Sequence, residues 1–148
     1  MTRRKRLAAL ELAAEQAKAA RVEAQRATVD RAWGRLSQAD RETLCELRDA
    51  PQEQLDAVAE ALKPYRVSAE YGHFLDWISA ADEVAEDDLL PLAPVGAAEQ
   101  LEAWAADFDR ALSECEMPTA ALMTAFRWGA ANCRWWASLA REVGEVAG

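Results

Sequence analysis

A single histidine, His73, in 148 residues excludes any site built on a histidine pair. Three cysteines (Cys45, Cys115, Cys133) are too few and too scattered for a disulfide framework, and no C-x-x-C occurs. Their odd number points to free thiols in a reducing compartment, so the expected location is cytoplasmic. Glycine and proline are scarce, at six and five. There is no glycine-rich phosphate loop, no G-x-S-x-G and no zinc-ligand spacing. Long apolar runs are missing too. The longest uncharged stretches, such as Met117–Phe126, have ten residues, against the ~20 a membrane span needs. Glu11 and Glu15 interrupt the apolar segment that a secretion signal would place behind the basic start. The expectation is a soluble protein with no membrane partner. No stretch has the β-branched alternation of a strand.

What remains is rich in helix formers. Just over half the residues are apolar, with alanine dominant among them, and Ala, Leu, Glu, Gln and Arg all favour helix. A domain of this length buries roughly 70% of the surface its unfolded chain exposes, enough to do without a metal or disulfide. The fold expected is all-α, a single domain of about six helices, with a long N-terminal helix and a central Trp-rich C-terminal helix.

Charge divides the chain into three parts. Residues 1–35 are basic, with a net of +5, residues 36–117 are acidic at −15, and residues 118–148 stand at +1. The first helix should run from Thr2 or Arg3 to Arg35. Its apolar seam comes late, at Val22, Val29, Trp33 and Leu36, so its C-terminal half should dock while its N-terminal half projects or pairs elsewhere. Ser37 reads as the N-cap of a second helix, Gln38–Arg48, that uses Leu44 and Leu47. Pro51 suits the opening of a third, which turns Leu55, Val58 and Leu62 inward and stops at Pro64. Ser68 would cap a fourth, with Tyr71, Phe74, Leu75 and Ile78 as its face and Trp77 beside it. Residues 86–96 form a proline-containing connection. The fifth helix, Ala97–Cys115, is apolar at Leu101, Trp104, Ala105, Phe108 and Leu112. Pro118 opens the sixth.

That last helix holds "RWGAANCRWWASLAR", residues 127–141. Arg127, Arg134 and Arg141 are seven apart and form one stripe. The rest of the circumference is apolar, as in a buried helix. Gly129, Cys133 and Ala137, small and four apart, make a groove where a neighbouring backbone can come close. The stripe has two readings. The arginines pair with carboxylates of the acidic helices, or Arg127, Trp128, Arg134, Trp135 and Arg141 form a partner interface, since Trp and Arg dominate binding hot spots.

Chemistry finds little support. Glu70 and His73 match the E-x-x-H of di-iron helices, with Asp76 one turn on, but that architecture needs a second such motif and none exists. A Cys–His pair of Cys45 or Cys133 with His73 is formally available, although helical cysteines usually pack as small apolar groups. No catalytic residue, metal ligand or cofactor is assigned. The acidic middle is either a solvated face or a carboxylate array that imitates nucleic-acid phosphates and occupies a basic groove on another protein. The residues proposed for that surface are Glu83, Glu86, Asp87, Asp88, Glu99, Glu102, Asp107 and Asp109. The expected function is a non-catalytic binding protein, a regulator or inhibitor working through protein–protein contacts. The alternative is a nucleic-acid-binding accessory protein using Arg3, Arg4, Lys5 and Arg6 on phosphates.

Overall fold

A computed structural model describes residues 2–65, 72–85 and 88–146. Three of the described helices begin where a short polar side chain satisfies a first-turn N–H group. α1 (Arg3–Gly34) starts at Thr2, whose Oγ1 accepts from the Lys5 N–H. α2 (Gln38–Asp49) starts at Ser37, whose Oγ accepts from the Asp40 N–H at 3.1 Å. α3 (Gln52–Leu62) follows Pro51 and ends in a 3-10 turn, Lys63–Tyr65, because Pro64 cannot continue an α-helix. α4 (Gly72–Asp82) and α5 (Ala97–Glu114) come next. α6 (Ala120–Val143) is capped by Thr119 Oγ1 on the Leu122 N–H at 3.1 Å. It stops at Gly144, whose φ of 86° suits glycine.

The domain is organised around α6, which packs against α1, α2, α3 and α5. The core is unusually rich in alanine, with Ala32, Ala93, Ala125, Ala130 and Ala131 fully buried. Short side chains let helix axes approach closely, and tryptophans fill the gaps between them. Trp136 of α6 meets Trp77 of α4 edge-to-face with centroids 5.9 Å apart, and Trp135 meets Trp33 of α1 at 5.8 Å. Phe74 of α4 contacts Trp104 of α5 in the same way at 6.0 Å. Such geometry aligns the positive ring edge with the negative face. A second cluster of Val58, Ala125 and Trp128 joins α3 to the first half of α6. The small groove on α6 is real, but a ring fills it. A Cβ on Gly129 would stand 3.1 Å from Phe108 of α5, so a side chain rather than a neighbouring backbone uses the space.

Two expectations about facing need correction. Leu75 was assigned to the inner face of α4 but is 42% exposed, while Trp77, expected beside that face, is buried. The Trp77 indole N–H donates to the Pro91 carbonyl at 3.0 Å, and this bond with the Trp136 contact sets the rotation of α4. On α2 the buried residues are Asp40 and Thr43, with Leu44 and Leu47 only half-buried. Ser68 and Tyr71 lie outside the described residues.

The connection from α4 to α5 is pinned by the chain's end. Ala93 N–H donates to Gly144 O and Ala93 O accepts from Val146 N–H, both at 2.8 Å. Among the described residues, this bridge of Ala93 with Glu145 is the sole β pairing. The Glu145 carboxylate then accepts from the Gly96 N–H at the start of α5, where an anion suits the helix dipole.

Candidate interaction surfaces

The three arginines of α6 reach both neighbours. Arg127 makes a two-pronged contact with Glu46 of α2, its Nη2 donating to Oε1 at 2.9 Å. Arg134 donates Nε and Nη2 to the two oxygens of Asp40 at 2.7 and 2.9 Å, and Nη1 to Asp109 of α5 at 2.8 Å. Arg141 forks onto Glu102 of α5. The stripe therefore ties α2 to α5 across α6, and Glu102 and Asp109 of the expected acidic surface are consumed in it. Their neighbour Asp107 pairs locally with Arg110.

These pairs differ in depth. The Asp40 carboxylate is 11% exposed and Arg134 33%, whereas the other two pairs have both partners at 36% or more. The hydrogen bonds to Asp40 raise the Arg134 guanidinium above its ordinary range, against the opposing pull of burial. The Arg127 hydrogen bond holds the Glu46 carboxyl below the usual carboxylate range. Trp128 adds a smaller push in the same direction, its buried indole N–H lying near that carboxylate without a hydrogen bond of ordinary geometry. At 3% exposure Trp128 is an internal residue, and Trp135 is half-buried against Trp33. Around Arg134 and Arg141 lies a cleft of about 620 Å³ between the α1–α2 corner and α5. Its arginines and carboxylates already satisfy one another.

Sequence reasoning missed two carboxylates that matter. Asp40 is one. The other is Glu142, 8% exposed, which accepts from Arg31 of α1 at 3.0 Å and forms an ion pair at 2.8 Å with Arg35, the residue that ends α1. The spacing of Arg31 and Arg35, one turn apart at the end of α1, was the available signal that an acid lay opposite. Ser138 donates to the Ala32 carbonyl at 2.6 Å and completes the α1–α6 seam.

The surfaces left over are at the two ends of the charge scale. Residues 2–21 are exposed throughout, so Arg3, Arg4, Lys5 and Arg6 stand at the tip of a projecting half-helix. Residues 3–21 extend roughly 28 Å at the helical rise. At the base of this arm, Gln25 donates to the carbonyls of Ala85 and Asp88 at 2.9 and 2.7 Å, which holds the α4–α5 connection against α1. There Glu83, Asp88 and Glu99 are exposed, joined by Asp82. Glu86 and Asp87 lie outside the described residues, as do Glu70 and the His73 side chain. Burial pushes the Cys133 thiol up to about 12, so it keeps its proton at neutral pH. No helix among the described residues is long and apolar enough to cross a membrane.

Comparison with known protein families, with curated proteins and with solved structures finds no match.

Proposed function

We propose that this chain is a non-catalytic helical binding protein that acts on another protein as a regulator or inhibitor. One observation carries the reading. The arginines of α6 are committed to Glu46, Asp40, Asp109 and Glu102, yet Asp82, Glu83, Asp88 and Glu99 remain exposed and outside any ion pair among the described residues. They occupy the last turn of α4, the connection and the first turn of α5, on backbone held in place by the Ala93–Glu145 bridge and by Gln25. A fixed array of carboxylates attracts a basic groove of the kind that handles nucleic acid, speeding encounter more than it slows release. Three free thiols fit a reducing, cytoplasmic setting.

The test is capture of a basic partner from the host, then kinetics with the purified pair. Reversing Asp82, Glu83, Asp88 and Glu99 should lower the association rate and its salt dependence, with little change in dissociation. If the protein instead binds duplex DNA tightly at about 150 mM salt, and Arg3, Arg4, Lys5 and Arg6→Ala abolish that binding, the arm is the functional surface and this reading fails.

A further inference from the structure

Four large aliphatic side chains stand in solvent beside the exposed carboxylates. Leu89, Leu92 and Val95 of the connection are more than half exposed, and Val146 is 48% exposed. A single exposed leucine is ordinary, but these belong to backbone that is tied down. The Trp77 indole holds the Pro91 carbonyl, Gln25 holds those of Ala85 and Asp88, and Ala93 is bridged to Glu145. Within that frame the connection sorts its side chains. Leu90 packs against the core and Ala93 is fully buried, while Leu89, Leu92 and Val95, at every third position, are left in water. Side chains alternate across a β bridge, so Leu92 and Val146 share the face opposite Ala93. Leu92 Cδ2 accordingly stands 3.9 Å from where a Cβ on Gly144 would be. Four half-exposed aliphatic groups amount to roughly 300 Å² of apolar surface, an extent that on a monomer is often functional. Acids border it along the chain. Asp82 and Glu83 stand at the end of α4, Asp88 directly precedes Leu89, and Glu99 follows in the first turn of α5.

Carboxylates alone suffice to imitate a duplex, which turns its phosphates outward and keeps its bases stacked inside. A groove for single strands is built differently. Cations track the backbone, and aromatic side chains form a floor on which unstacked bases lie. We infer that the acidic surface fits a groove of this second kind on the basic partner. Its carboxylates meet the cationic walls, and Leu89, Leu92, Val95 and Val146 cover the aromatic floor. This rests on the reading of the acidic surface as the binding surface, and it specifies the partner's chemistry. The two kinds of group divide the work. Charges act at a distance and are screened by salt, so they set the rate of encounter. Aliphatic groups act only in contact, where they displace water, so they set how long the complex lasts. An apolar centre within a charged border is also the ordinary build of a protein interface.

Two immobilised peptides of equal charge test this, one alternating lysine with tryptophan and the other lysine with serine. The full chain should bind the lysine–tryptophan peptide about tenfold more tightly, a preference that partial burial of two leucines supplies. Leu89→Ser with Leu92→Ser should erase that preference by speeding dissociation, and Val95→Ser with Val146→Ser should reduce it. Neither pair should shift the melt, since these side chains already stand in water. Met117→Ser, at the 92% exposed methionine between α5 and α6, should change nothing. Reversing Asp82, Glu83, Asp88 and Glu99 should slow association with both peptides. Equal binding of the two peptides, or a preference that survives both pairs of serine substitutions, overturns the inference. If the acid reversal still slows association in that case, the carboxylate reading stands without it. Binding of neither peptide, or binding indifferent to the acid reversal, overturns both. A native dimer that Leu89→Ser with Leu92→Ser converts to the 16.3 kDa monomer would mean that a second copy covers the patch, and the inference falls.

Discussion

Arg134 is the residue on which the helix arrangement should depend most among the charged side chains. Replacing it with Met keeps the aliphatic stem and removes three hydrogen bonds, two to Asp40 and one to Asp109. The Asp40 carboxylate, 11% exposed, would then lack its counter-charge. Breaking a fully buried pair costs about 3–5 kcal/mol and an exposed one at most ~1. With Arg134 itself one-third exposed, solvent relieves part of the penalty, and about 2–3 kcal/mol is expected. In a domain of this size that lowers Tm by roughly 5–10 °C. Arg127→Met and Arg141→Met break better-solvated pairs and should each cost less than about 1 kcal/mol. The double variant Arg134→Met/Asp40→Leu removes the stranded charge along with its partner and should recover most of the loss. Urea melts followed by circular dichroism measure these proteins together with the native chain and the single variant Asp40→Leu. If Arg134→Met is no worse than its two neighbours, or the double variant is as unstable as the two single losses added together, the pair is not the buried tie described here.

Trp136→Ala should cost about 3–5 kcal/mol, since it empties the contact between α4 and α6; an unshifted cooperative melt would place this tryptophan outside the core. Gly129→Leu should destabilise by about 1–3 kcal/mol through overpacking against Phe108, and pairing it with Phe108→Ala should restore part of that. The alkaline limb of stability should carry the mark of Cys133. Burial raises its thiol from 9.0 to about 12, so the folded chain keeps a proton that the unfolded chain loses, and stability falls as pH rises from 9 towards 12. Cys133→Ala should flatten that fall, and near neutral pH a thiol reagent should modify Cys133 last, because its proton is held although all three thiols are half-buried; early modification of Cys133 counts against the raised pKa.

Much of the fold was legible because helix ends are decided locally. Thr2, Ser37, Pro51 and Pro64 each act on the turn they belong to, and the structure puts helix ends at or beside each of them. The seam at Val29 and Trp33 correctly put the docked half of α1 late in the helix. The near-complete apolar girdle of α6 marked it as central for a reason that needs no partner: such a helix has no side to offer water. The site was less legible. The sequence showed a stripe of arginines and a surplus of acids, but not which acids would be taken. Glu102 and Asp109 looked like open surface and are bound to α6, while Asp40 and Glu142 drew no attention.

Sequence alone determined the class of fold, most of the helix ends and the segregation of charge, all of which depend on residues within a turn or two of one another. Only the tertiary structure decided which way each helix faces and which charges cancel. Asp40 meets Arg134 across 94 positions and Ala93 meets Glu145 across 52. Local preference says nothing about such distances. The rotation of α4 that buries Trp77 and exposes Leu75 follows from where Pro91 and Trp136 come to rest, and that is settled only when the helices pack together.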